Sequence, residues 1–144
     1  MQLPLNLPLS KTVLADGSVE LTAGEGRFVF RRLRPGTLLV TIGGQDNGQF
    51  GTAALDEIRM EITRQGTLEL LIDASEAVLV TTDVSQEWTR FFSLNRQQLR
   101  RVSVLTGSRL IHLTVAISQH LSQTGNLIQI YSDRALFDAA GASR

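Results

Sequence analysis

Two apolar runs constrain this chain more than any other feature. Residues 37–42 (TLLVTI) and 67–73 (TLELLID) are apolar with little alternation, and between them Ala54, Leu55, Ile58 and Ile62 recur at helical spacing before Gly66. A strand that is apolar on both sides belongs inside a covered sheet, and a helix joining two such strands makes them parallel. Gly66 stands where a helix C-terminus wants a residue that tolerates positive φ.

The alternation continues downstream. Asp83 is placed to cap a long helix with Trp88, Phe91, Phe92, Asn95, Leu99 and Val102 on one face and Arg90, Gln97 and Arg101 opposite. Residues 102–105 (VSVL) read as a short strand. Ser108 opens a helix with Leu110, Leu113, Thr114, Ile117 and Leu121 as its core stripe, ending near Gly125. Residues 127–131 (LIQIY) are the last strand, and Ser132 or Asp133 begins a short helix with Ala135, Leu136 and Ala140.

Upstream the pattern is different. Strands over 11–15, 19–22 and 27–33 are separated by Asp16-Gly17 and Gly24-Glu25-Gly26, and Pro35-Gly36 precedes the first buried run. Such spacing means antiparallel hairpins. The order β-β-β-β-α-β-α-β-α-β-α predicts an α/β fold: a mixed, mostly parallel sheet with helices, preceded by an antiparallel β-hairpin extension. Right-handed crossovers then restrict where the helices lie. Residues 1–10, interrupted by Pro4 and Pro8, read as an extended arm, and 11–144 as a single domain.

Composition narrows the function classes. A chain of 144 residues, 42% apolar and 19% charged, can bury one core without covalent staples. With no cysteine, disulfides, thiolate metal sites and thiol catalysis are excluded. A formal net charge of zero gives no overall attraction to nucleic acid or to an anionic membrane. The apolar N-terminus carries no basic residue and is broken by Pro4, Asn6 and Pro8, so it reads as neither signal peptide nor membrane span. A cytoplasmic protein is the expectation. The charges are nevertheless segregated: residues 45–87 hold nine acids and two arginines, whereas 88–132 hold five arginines and no acid. A solvated surface is one reading of this pattern and a partner-binding patch is the other.

Catalytic constellations are missing from the sequence. The two histidines, His112 and His120, lie eight residues apart, about 12 Å along a helix and about 80° around it, where two ligands of one metal want i, i+4. There is no G-x-S-x-G elbow. Glu57 and Glu61 read as a helix surface. Residues 43–48 (GGQDNG) lack the Lys-Ser/Thr of a phosphate loop and carry Asp46, so they read as a glycine-rich turn from strand to helix. No catalytic residue, metal or cofactor is expected. The segment 73–83 (DASEAVLVTTD) reads as a loop ending at a helix N-terminus, where Thr81 and Thr82 meet unpaired N–H groups. Capping by Thr82 or Asp83 accounts for it, and a phosphate there would also be favoured.

Taken in order, TLLVTIGG, the helix to Gly66, TLELLIDASEA, VSVLTG and LIQIYSDRALFDAAGA resemble the STAS domain of anti-sigma-factor antagonists over residues 27–141. The likeness is to an uncharacterised bacterial branch with a tryptophan on its second helix. Asp73-x-Ser75 and Asp133-x-Ala135-Leu136 are the local matches. In phosphorylated members the strand leads to a D-S-S-G motif. The register places Thr81-Thr82-Asp83-Val84 there, with Thr82 on the first serine and all four motif residues replaced. The resemblance implies a non-catalytic bacterial regulatory or protein-interaction module, with Thr82, or Thr81, as the phosphorylation candidate. A module binding a small ligand (lipid or nucleotide) and a structural subunit of a larger assembly are the alternatives.

A protein partner or a second copy is also expected from the helix at 108–123. Ile111 and Val115 form a second apolar strip about 100–140° from the core stripe, with His112 facing outward. Such strips mark interaction sites, and identical chains most often form two-fold dimers. The N-terminal arm folding over the strip and a different partner remain the competing readings.

Overall fold

The computed structural model describes residues 8–107 and 126–142. Among these, seven strands form one sheet in sequence order: β1 (Ser10–Val13), β2 (Val19–Ala23), β3 (Gly26–Arg34), β4 (Thr37–Asp46), β5 (Leu68–Val80), β6 (Leu99–Thr106) and β7 (Ile128–Tyr131). The pairs from β1 to β4 are antiparallel, and those from β4 to β7 are parallel. The α/β architecture is the expected one, with the N-terminal hairpins continuous with the parallel part.

Right-handed crossovers between strands laid down in order put successive helices on one face. Helices α1 (Ala53–Gln65) and α2 (Thr82–Leu94) share a core with that face. Phe28, Val40, Leu70, Ile72, Val102 and Val104 meet Ile58, Ile62, Phe91 and Phe92 there. On the other face Leu71 and Leu105 are covered by Phe137 of α3 (Arg134–Ala142), with Leu33, Leu39 and Tyr131 around them. Side chains alternate along a strand, so adjacent residues of one run serve different layers. That is why the run 67–73 shows no alternation.

Helix α3 is fastened at both ends by arginines. Arg134 Nη2 donates to Asp73 Oδ2 (2.9 Å) and to Ser75 Oγ (3.0 Å). At the other end Arg101 Nη2 donates to the Ala140 carbonyl (3.0 Å) and Arg34 Nη2 to that of Gly141 (3.0 Å). These last carbonyls have no partner within a helix, and cations suit the negative end of its dipole. Gly141 lets the helix lie on the sheet, since a Cβ there would run into Leu71.

The structure corrects the expected boundaries in four places. Residues 43–46 are the last part of β4, not a turn. Residues 74–80 extend β5 to thirteen residues instead of forming a loop. Helix α2 stops at Leu94, and a 3-10 turn over Arg96–Gln98 leads into β6 at Leu99. Leu99 and Val102, placed on a helix face by their spacing, are therefore buried strand residues. Arg101 lies on β6 and pairs with the buried Glu69 (2.6 Å). Finally, the cap of α2 is Thr81, whose side chain accepts from Val84 N (3.4 Å), not Thr82 or Asp83. The core role of Phe92 is as expected, and Trp88 packs partly buried against Phe28, Phe91 and Phe92. Asn95 Nδ2 donates to the Phe91 carbonyl (2.8 Å). The helix expected over 108–123 lies outside the described residues.

Candidate functional site

In open α/β sheets ligands gather beyond the carboxyl ends of the parallel strands. Here β4 and β5 run on past β6, whose last partner on β5 is Ala74. The two strands end side by side at Asp46 and Val80, and the Thr81 N–H donates to the Asp46 carbonyl (3.1 Å). The chain then turns from Val80 directly into α2, so the start of that helix is held against the end of β4.

The glycines of β4 make this extension work. The ladder shifts register between Thr41 and Gly43 and again between Gly44 and Gln45. Gly44 has φ +74°, and a Cβ on it would strike the Glu25 carbonyl. Glycine inside a strand often marks such an irregularity or a close backbone approach.

Between the end of β4 and the start of α2 lies a cleft of about 250 Å³, open to solvent. Phe50, Leu55, Val84 and Trp88 supply its apolar walls, and Asp46, Asp83 and Glu87 its charges, with no basic side chain among the described residues of the lining. Phe28 supports the walls from below, edge-on to Phe50 (4.7 Å between centroids) and stacked on Trp88 (6.5 Å). Asp46 is only 7% exposed. Burial pushes its carboxyl above the usual aspartate range; the Gly48 N–H on Oδ1 (3.0 Å) opposes this and the charge of Glu87 adds to it.

Thr82 is the first residue of α2 and is exposed, and its hydroxyl has no partner among the described residues, whereas Thr81 is half-buried as the cap. Alongside, Val78 is 64% and Leu79 38% exposed at the end of β5. The sequence-predicted pair Thr81 and Thr82 stands at the N-terminus of α2. Ile111, His112 and Val115 lie outside the described residues.

Sequence reasoning missed that Asp46, Phe50 and Trp88 converge on this helix start. In the sequence, residues 43–48 and 73–83 stand as separate segments. Two adjacent parallel strands must, however, deliver their carboxyl ends to one place, and that signal was available. Asp73 and Ser75 face the α3 side instead: Ser75 N (3.0 Å) and Oγ (2.6 Å) both donate to Asp73 Oδ1. Burial pushes the Asp73 carboxyl up, but these bonds and Arg134 outweigh it and hold it below the usual range. Among the described residues no group of three His, Asp or Glu side chains is placed to hold a metal ion. No described helix is long and apolar enough to cross a membrane.

No family model matches the chain, and no curated protein matches it. Solved structures do. An uncharacterised protein of the DUF3478 family with a SpoIIAA-like fold, from Shewanella loihica PV-4, superposes with a TM-score of 0.59 at 10% identity, covering 84% of this chain and 97% of that one. The anti-sigma factor antagonist SpoIIAA in its unphosphorylated form gives 0.47 at 12% identity, over 81% and 98% of the two chains. The fold is SpoIIAA-like, that is, STAS-like.

Proposed function

We propose that this chain is a non-catalytic module of bacterial regulation, acting in the cytoplasm, that binds a protein partner at the start of α2. The observation that carries the reading is the exposed apolar pair Val78 and Leu79 beside the exposed hydroxyl of Thr82. Exposed apolar surface rimmed by polar groups is characteristic of interaction sites. The sheet fixes its position through the bond from Thr81 to Asp46.

Thr82 is the position for a switch. A phosphate there would add about −1.5 to −2 charges at pH 7. The free N–H groups of the helix start favour that charge, while Asp46, Asp83 and Glu87 nearby oppose it. Phosphorylation would turn an apolar surface with acidic neighbours into a strongly anionic one and so change which partner it accepts. The same acids argue against the nucleotide-binding alternative, because among the described residues the cleft meets phosphates with carboxylates and no cation.

The test is affinity capture from the native host with quantitative mass spectrometry. Val78→Asp/Leu79→Asp and Thr82→Glu should lose a protein that wild type retains, and Met60→Asp, on the exposed side of α1, should keep it. A retained set that is the same for wild type and all three variants overturns the reading.

A further inference from the structure

Some acids of residues 45–87 and some arginines of residues 88–132 gather at opposite ends of the sheet. At the carboxyl ends of the parallel strands stand Asp46, Asp83 and Glu87, with Glu25 on the turn whose carbonyl receives the Gln45 N–H. Among the described residues none of these four carboxylates has an ion-pair partner. Nine residues back, at the other end of β4, about 30 Å away at strand rise, Arg34, Arg100 and Arg101 line an open groove of about 510 Å³. The carboxylate in that groove, Glu69, is already taken by Arg101. Arg100 also lines a second groove of about 480 Å³ with Arg96, Gln97 and Asn126. The two grooves meet at Arg100 and together present an arginine strip.

Helix dipoles explain part of this. All three described helices point their N-termini toward the acidic end, and each helix end carries about half a charge, so they offset about one and a half charges. Even without the buried Asp46, the three exposed carboxylates Glu25, Asp83 and Glu87 exceed that at one end. At the other, Arg96 and Arg100 line grooves, and neither has an ion-pair partner among the described residues; Arg100 donates to the Gly36 carbonyl (2.7 Å) in a strand turn. The chain is neutral overall, yet among the described residues each end carries an excess opposite in sign to that of the other end, so the acidic end of one copy complements the basic end of another.

We propose that the arginine strip is a docking surface for the acidic end of a second copy of this chain. The contact is head-to-tail, so each copy keeps one free acidic end and one free basic end, and growth is open-ended unless the rotation closes a ring. Docking covers the start of α2, so self-association competes with a partner that binds there. The contact uses neither Ile111 nor Val115, and it stands without the proposed function: it reads charges, whereas that function reads Val78, Leu79 and Thr82.

Sedimentation velocity of the full chain at low and high salt tests it. Wild type should show a sedimentation coefficient that rises with concentration in about 20 mM salt, with association weakened about tenfold or more at 0.5 M, where the Debye length has shrunk to a few ångströms. Arg96→Gln/Arg100→Gln and Asp83→Asn/Glu87→Gln, each checked by circular dichroism for the native fold, should each be monomeric alone. Mixed, they should form a one-to-one dimer that grows no further, because each retains the end that the other lacks. A wild type that stays monomeric at low salt, or variants that associate alone as wild type does, or a mixture that stays monomeric, overturns the proposal. None of these outcomes bears on partner capture through Val78 and Leu79.

Discussion

The Thr81 N–H donates to the carbonyl of Asp46 at 3.1 Å, tying the cap of one helix to the last residue of the neighbouring strand. This bond brings the acidic cleft, the exposed apolar pair and Thr82 together at one corner of the sheet. The consequences of that construction can be measured.

Gly44→Ala should unsettle the corner. The position has φ +74°, and a Cβ would run into the Glu25 carbonyl, which is backbone and cannot step aside. The loss should be about 2 kcal/mol or more, beyond the tolerated range of a glycine-to-alanine change. Denaturant unfolding checks it; Gly17→Ala, where a Cβ would meet open space at a similar φ, isolates the backbone cost.

Two carboxyls should respond to pH with opposite sign. Asp46 has a raised pKa through burial, so the folded chain binds its proton more tightly than the unfolded chain, and ionising it costs stability. Asp46→Asn should therefore raise the melting temperature at pH 7 by a few degrees, roughly 1 kcal/mol. That gain should fade as pH falls through the raised pKa. Glu61 is held low by hydrogen bonds from Arg32 Nε and Nη2 (2.5 and 2.8 Å), against its burial. Its contribution is present above the ordinary glutamate range and lost as pH falls through the depressed value. Glu61→Gln should lower stability at pH 7 and flatten the acid limb of the profile.

Helix α3 should loosen when its N-terminal tether is cut. Arg134→Ala removes the bonds to Asp73 and Ser75, while Phe137 and the carbonyl contacts at the far end remain. Hydrogen exchange should speed up in residues 134–142 by about tenfold, with α1 and α2 unchanged, as expected for local opening. Uniform acceleration across the sheet would contradict a local tether.

The fold was legible where side-chain pattern and backbone agree. The runs 37–42 and 67–73 gave the parallel centre because their residues feed two layers at once. The pattern failed where an apolar residue kept helical spacing by coincidence: Leu99 and Val102 continue the series of Phe91 and Phe92 but begin a strand, and short apolar runs do not distinguish the two. Gly43 and Gly44 read as a turn because glycine permits a turn and a bulge alike. At the site, Thr81 and Thr82 were found from their place before a helix. Asp46 and Phe50 were not, because their part depends on which strand ends lie side by side.

The most direct test of the account is photo-crosslinking in the native host, with a photoreactive residue placed at position 79 and, as control, at position 60. Both side chains are exposed, but only Leu79 lies beside Thr82. The account predicts a discrete adduct with a different protein from position 79, absent from position 60 and diminished by Thr82→Glu. No adduct at position 79, or the same adducts from both positions, would contradict it.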